Sequence, residues 1–194
     1  MTNSYNEKEL SNKEVFNGKC INVKTYDVEL SNGEKGYREI VHHPGGVVVV
    51  AQKDENIILM VKQYRFAIKQ ESLELPAGRL EPGENPDEAI KRELEEETGY
   101  NASIWHSLGF IYSSPGVFDE KLYLYYATGL SFKRQHPDEN EIIDYFEYNI
   151  DDILNKIGNG AINDSKTICA IHRAIRNGYL KWLKWLQPIL TEQF

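Results

Sequence analysis

The sequence predicts a single α/β domain: a mixed β-sheet between helices, with an antiparallel β-ribbon at its N-terminal side. Three observations predict it. Asn32-Gly33, a strong hairpin signal, separates two strand-like segments. Val47-Val48-Val49-Val50-Ala51 is a continuous apolar run suited to a strand buried on both faces. Residues 86–98 form a helix that carries its own start and stop signals.

Taken in order, the first dozen residues are polar and aperiodic and are expected to fray. Residues 20–30 mix β-branched residues and Tyr26 with polar ones, and 37–43 reads as the returning strand. The chain therefore divides into a flexible start plus ribbon at 1–43, assigned to dimerisation and substrate contact, and a main domain with a helical tail at 44–194. Pro44-Gly45-Gly46 breaks the chain before the apolar run, and Asp54-Glu55-Asn56 turns that run into a neighbour at 57–63. Residues 76–84 are a loop by composition. Asn85 is the natural N-cap of the helix and Pro86 its first residue; Glu88 stands where a capping-box acid belongs, and Gly99 can end the helix in a left-handed conformation. Further strands are expected at 104–112, 121–128 and 141–148, and the chain turns helical from Asp151. Leu183, Leu186 and Leu190, with Trp182, Trp185 and Ile189, give the tail a broad apolar face that suits core or dimer packing.

Composition narrows the function. With 194 residues, 41% of them hydrophobic, the chain can bury a sizeable core. A net charge of −8 is opposite to what binding a nucleic-acid backbone requires, although a bound divalent cation can reverse the local sign in a carboxylate-lined site. Cys20 and Cys169 lie far apart without CxxC spacing, so neither a zinc site nor a disulfide framework is indicated. The first residues lack a basic stretch followed by an apolar core, and no apolar stretch approaches the ~20 residues of a membrane span. A soluble, cytoplasmic protein is expected.

The chemistry lies on the predicted helix. Glu93, Glu96 and Glu97 are spaced i, i+3, i+4, which puts three carboxylates on one face, while Glu95 points the other way. Like charges that close repel one another unless something positive is bound. Mg²⁺ takes oxygen ligands and rests on one or two carboxylates plus substrate phosphates. On spacing alone, a solvated acidic face is the commoner meaning. The surrounding residues change that balance. Gly78, Glu84, Arg92-Glu93-Leu94, Glu96-Glu97 and Gly99-Tyr100 fill every specified position of a 23-residue pattern, G-x5-E-x7-R-E-U-x-E-E-x-G-U, where U is apolar and Tyr100 is a loose fit. A chance match anywhere in the chain has a probability on the order of 10⁻⁷ at average residue frequencies.

That pattern is the Nudix signature, and the sequence resembles the Nudix hydrolases, which cleave nucleoside diphosphates linked to another moiety. The resemblance implies an α/β/α sandwich in which the signature forms a loop–helix–loop. It also implies a Mg²⁺ cofactor, with Mn²⁺ as a substitute. Carried over by position, Glu93 and Glu97 are the principal metal ligands, Glu96 is a further ligand or catalytic helper, and the Ala77 carbonyl is an additional ligand. Arg92 would orient the glutamates and Glu84 would brace the loop. Pro115, sixteen residues after Gly99, marks the ADP-ribose pyrophosphatase branch, and Arg38 to Gly45, Gln63-Tyr64-Arg65 and Leu73 to Gly78 are similar to that branch.

The reaction implied is hydrolysis of ADP-ribose to AMP and ribose 5-phosphate. GDP-mannose or another nucleotide sugar stays open as substrate, and a non-catalytic module that senses ADP-ribose is the reading from a different class. A carboxylate must take the proton of the attacking water. By resemblance Glu139 is assigned as that base and Glu141 as another metal ligand, with Glu141, Glu120 and Glu96 as alternative bases. Arg65 and Arg79 are candidates to hold phosphates, because guanidinium forks bind them bidentately. Arg38 is similar to a substrate-contacting position, and Ser114 and Glu120 fall in the loop that borders the terminal ribose in relatives. Relatives build the adenine clamp partly from a second subunit's ribbon, which implies a homodimer with Tyr26 and Tyr37 as possible clamps. The five histidines show no metal spacing and receive no role.

Overall fold

The computed structural model describes residues 5–136 and 142–181. In chain order the elements are β1 (Lys8–Asn17), β2 (Asn22–Glu29), β3 (Lys35–His42), β4 (Gly46–Asp54), β5 (Ile57–Arg65), β6 (Gln70–Glu74), β7 (Ala77–Arg79), α1 (Pro86–Thr98), β8 (Tyr100–Tyr112), β9 (Lys121–Phe132), β10 (Ile143–Asn149), α2 (Ile150–Gly158) and α3 (Ser165–Arg176). Strands β1, β2 and β3 form a separate antiparallel sheet. The larger sheet runs β10-β5-β4-β9-β8, with β6 added to β5 and β7 to β4.

The fold is organised around β4. Val47 to Ala51 are fully buried. Because successive strand side chains point to opposite faces, Val47, Val49 and Ala51 pack with Ala89, Ile90 and Leu94 of α1. Val48 and Val50 pack with Ile150 and Ile153 of α2 and with Ala170, Ile171 and Ala174 of α3. One strand thus supplies both interlayer cores of a helix–sheet–helix sandwich, and each of its buried valines stabilises the fold by about 1.5–3 kcal/mol relative to exposure. Strand β9 lies parallel to β4, from Gly46 opposite Leu122 to Ala51 opposite Ala127.

Several elements depart from the sequence expectation. The first residues do not all fray: β1 pairs with β2 from Lys8 opposite Glu29 to Asn17 opposite Asn22. All ten of its residues are exposed, so ladder hydrogen bonds and polar side-chain bonds such as Ser11 to Asp27 order it, and no hydrophobic period marks it. The loop expected at 76–84 opens as β7, because the edge of β4 at Gly46 to Val48 would otherwise leave buried backbone groups unbonded. Strand β5 neighbours β4 only beside their turn, at Ile58 opposite Gln52 and Ile57 opposite Asp54. Beyond that point β5 lies between β6 and β10.

Helix α1 has the expected bounds. Asn85 caps it by accepting from the Asp87 amide at 2.8 Å, and Gly99 closes it at φ 75°. Glu88 makes no capping box; its carboxylate takes the ammonium of Lys91, its i+3 neighbour, at 2.8 Å. The helical stretch after Asn149 is two helices, α2 and α3, each with its own cap, Asn149 and Asp164. No helix among the described residues is long and apolar enough to cross a membrane. The apolar tail residues from Trp182 to Leu190 lie outside the described residues.

Candidate active site

The loop after β7 and the buried side of α1 form one ion network. The Arg92 guanidinium forks onto Glu84 (Nε to Oε1 3.0 Å, Nη2 to Oε2 3.1 Å), while its Nη1 reaches Glu96 at 2.8 Å and Glu93 at 2.9 Å. The hydrogen bonds that Arg92 donates to Glu84, against the cost of partial burial, raise the Arg92 pKa, and Arg92 in turn lowers that of Glu84. Glu84 also accepts from the Glu81 amide at 2.9 Å, so the loop is tied to the helix through one carboxylate.

Glu93 and Glu97 lie one helical turn apart, 9% and 3% exposed. A side chain on Gly78 is impossible as packed, since its Cβ would stand 1.9 Å from the carboxyl carbon of Glu93. The glycine therefore lets the Glu93 carboxylate lie on the backbone. Glu97 accepts from the Ala77 amide at 2.9 Å, so both carboxylates press on the same two-residue ridge, Ala77-Gly78. Among the described residues no three His, Cys, Asp or Glu side chains gather as a metal cage. Two carboxylates beside half-buried backbone at the edge of two clefts nevertheless fit a hard divalent cation of the Mg²⁺ type, which uses few protein ligands and completes its shell with water and phosphate.

Two clefts meet at this ridge. The larger, about 690 Å³, lies under the β1–β2 turn and is lined by Asn17 to Asn22, Arg79 and Glu93. The smaller, about 390 Å³, is lined by Gln63, Arg65, Glu97, Ser113, Glu120 and Lys166 among others. Among the described residues, His43, Gly78 and Arg79 line both. Arg79 Nη1 sits 2.7 Å from Cys20 Sγ at the mouth of the larger cleft.

A second ion network walls the smaller cleft. Glu74, 2% exposed, accepts the Arg65 fork at 2.8 and 2.6 Å and pairs with Lys166, which also meets Asp164 at 2.9 Å. Burial pushes the Glu74 carboxyl up, but Arg65 and Lys166 outweigh it and hold the group at about 2. Thr167 bonds the start of α3 to this wall, donating to Asp164 at 2.6 Å and accepting from the Leu75 amide at 2.9 Å.

His43 stands at the junction of the clefts. Its Nδ1 accepts from the Gly45 amide at 3.1 Å and lies 3.4 Å from Glu120 Oε1, and its ring meets Phe118 edge-on. The Asp119 carboxylate accepts from its backbone amide at 2.9 Å. Burial lowers the imidazole pKa, with Arg79 lowering it further and Glu120 and Asp119 opposing.

Of the residues singled out in the sequence, Ala77, Glu93, Glu97, Arg65, Arg79 and Glu120 come together at the clefts. Glu96 lines neither cleft, because at i+4 from Arg92 its carboxylate curls back onto that guanidinium. Arg38 also stays away from them, on β3, forked onto Glu7 and bonded to the Tyr37 carbonyl. Ser114 is spent on a turn, its carbonyl accepting from Val117 and Phe118, and its neighbour Ser113 faces the smaller cleft with a buried hydroxyl that has no hydrogen-bond partner among the described residues. Glu139 and Glu141 lie outside the described residues. Sequence reasoning missed His43, Glu74, Ser113 and Lys166. The helix-start pattern Asp164-Ser165-Lys166-Thr167 was the available signal for Lys166.

Comparison with known proteins agrees with this construction. The NUDIX domain family matches residues 41–171. The chain is 43% identical to the methanol dehydrogenase activator of Bacillus methanolicus, covering 86% of this chain and 91% of that protein. It is 41% identical to the ADP-ribose pyrophosphatase of Bacillus subtilis (strain 168), covering 87% and 92%. A crystal structure of an ADP compounds hydrolase superposes with a TM-score of 0.77 over 93% of this chain and 96% of that one; at 22% identity the likeness speaks for the fold. With the signature residues gathered at one ridge and a family match over more than half its length, the chain belongs to the Nudix family.

Proposed function

We propose that the protein hydrolyses the diphosphate bond of ADP-ribose and related ADP-sugars, releasing AMP and ribose 5-phosphate, with Mg²⁺ or Mn²⁺ as cofactor. The observation that carries this reading is the pairing of opposite charges across one ridge. Glu93 and Glu97 press on Ala77-Gly78, while Arg79, Arg65 and Lys166 line the adjoining clefts. A diphosphate with its cation has that same arrangement of charge. The names of the Bacillus subtilis and Mycobacterium tuberculosis relatives, both ADP-ribose pyrophosphatases, support the ADP-ribose assignment.

In this reading Glu93, Glu97 and the Ala77 carbonyl hold the cation, with Glu141 as an additional ligand. When bound, the cation neutralises phosphate charge and lowers the pKa of its water. Arg92 keeps Glu93 and Glu96 from springing apart, and Glu84 keeps Arg92 in place. Arg79 and the outer edge of Arg65 meet phosphate oxygens, and Glu120 borders the sugar. Glu139 takes the proton as water oxygen bonds to one phosphorus and the bridging P–O bond breaks, with Glu120, Glu141 and Glu96 open to the same duty. The protein works as a cytoplasmic homodimer joined through the three-stranded ribbon.

GDP-mannose is the second reading, favoured by GDP-mannose pyrophosphatase relatives at 27% and 29% identity. Chromatography of products after incubation with Mg²⁺ and ADP-ribose, GDP-mannose, NADH or 8-oxo-dGTP separates the two. Preferential release of AMP and ribose 5-phosphate is expected. Preference for another member moves the substrate assignment, and turnover of none removes the catalytic reading.

A further inference from the structure

The two clefts share few walls, and that is informative for a substrate made of two halves joined by a diphosphate. If one half occupies each cleft, the diphosphate lies where they meet, against the residues common to both. Those are Gly78, which carries the Glu93 contact; Arg79, a cation; and His43, which neither the family signature nor the mechanism above employs.

The surroundings of His43 fix both its place and its proton. Its backbone amide is held by Asp119 at 2.9 Å, the ring rests edge-on against Phe118, and Nδ1 accepts from Gly45 at 3.1 Å. Glu120 Oε1 stands farther from that nitrogen, at 3.4 Å, so the Gly45 amide holds Nδ1 as an acceptor and the neutral imidazole bears its proton on Nε2. Nε2–H is then the donor that the ring has left to offer the clefts it lines. Resting on the nucleoside-diphosphate-sugar reading, we infer that His43 is a substrate-contacting residue whose Nε2–H donates to the diphosphate at the junction of the two clefts.

The geometry supplies its own controls. The bond from Gly45 to His43 spans two residues, the same spacing at which Asn85 accepts from Asp87 and Asn149 from Asp151. An asparagine at 43 can therefore keep the turn while removing the Nε2 donor. A glutamine puts an amide N–H near the Nε2 position and gives up the turn. His43→Asn and His43→Gln thus separate a donor from a structural histidine.

The test measures kcat/KM for ADP-ribose, affinity for ADP-ribose without divalent cation, and the melting temperature, in the wild type and both variants. Loss of a hydrogen bond to a charged group predicts that His43→Asn loses roughly 10- to 100-fold in kcat/KM and in cation-free affinity at an unchanged melting temperature. His43→Gln recovers much of that loss despite melting lower. If His43→Asn matches the active wild type, or His43→Gln is the more impaired of the two, the assignment of His43 is overturned and the pyrophosphatase reading stands. A wild type that turns over no nucleoside diphosphate sugar overturns both.

Discussion

Two ion networks flank the same ridge and are built in opposite senses. Around Arg92 one guanidinium gathers Glu84, Glu93 and Glu96, so anionic charge is in excess. Around Glu74 one buried carboxylate gathers two cations, Arg65 and Lys166, and Asp164 balances the pair through Lys166. The first cluster gathers more anions than cations, the second is balanced, and each borders a cleft. The difference teaches how an acidic protein can present a site for an anion: carboxylates concentrate where a cation is wanted, and a buried glutamate holds basic groups toward the place where phosphate is wanted.

Removing a carboxylate from the first network should give the largest effect. Glu97→Gln keeps an oxygen for the Ala77 amide but removes a charge from the ridge. Turnover of ADP-ribose should fall about 10³-fold, in the range seen when one preorganised electrostatic group is lost. Titration calorimetry with Mn²⁺ should show weakened binding in the same variant. Wild-type turnover would detach the site from α1 altogether.

The second network should answer through stability. Glu74→Gln leaves two cations facing a neutral group in a buried setting, and a loss of about 3 kcal/mol is expected in urea unfolding. The same carboxyl predicts a pH dependence. Its folded pKa of about 2 lies below the ordinary 4.5, so its contribution is fully present above pH 4.5 and is lost as pH falls from there through 2. The decline should total about 3 kcal/mol and should vanish from the Glu74→Gln profile. A variant as acid-sensitive as the wild type would show that Glu74 is not the group responsible.

The contrast also explains what the sequence made legible. The Arg92 network lies within one loop and one helix, from Gly78 to Glu97, so spacing displays it whole. The Glu74 network joins β5, β6 and α3, and nothing in the spacing of Arg65, Glu74 and Lys166 announces that they meet. The same holds for elements. Helix α1 advertises itself through Asn85, Pro86 and Gly99. Strand β1 buries nothing and leaves no apolar pattern, and β7 exists because β4 needs a partner. His43 was invisible because a histidine before Pro44-Gly45 reads as the end of a strand, and its importance comes from clefts that only the folded chain creates.

Arg92→Lys separates the networks more finely. Lysine keeps the charge but cannot fork onto Glu84 while reaching Glu93 and Glu96. With the arginine side chain 30% exposed, the stability cost should stay near or below about 1 kcal/mol, while kcat/KM falls roughly tenfold as the glutamates lose their common anchor. Equal wild-type activity would mean that Arg92 neutralises charge without placing it.

The smallest effect is expected at Arg38, which belongs to neither network. Its guanidinium is engaged by Glu7 on the ribbon, away from both clefts of its own chain. Exposed pairs of this kind contribute about 0.2–1 kcal/mol, so Arg38→Ala should barely move the unfolding midpoint. If each chain's clefts suffice for its substrate, kcat/KM should stay within about twofold of wild type, the usual consequence of an exposed change away from a site. A tenfold loss, with the unfolding midpoint unchanged, would mean that the ribbon of a second subunit delivers Arg38 to the substrate. The basic groups held by Glu74 would then be only part of what meets the diphosphate.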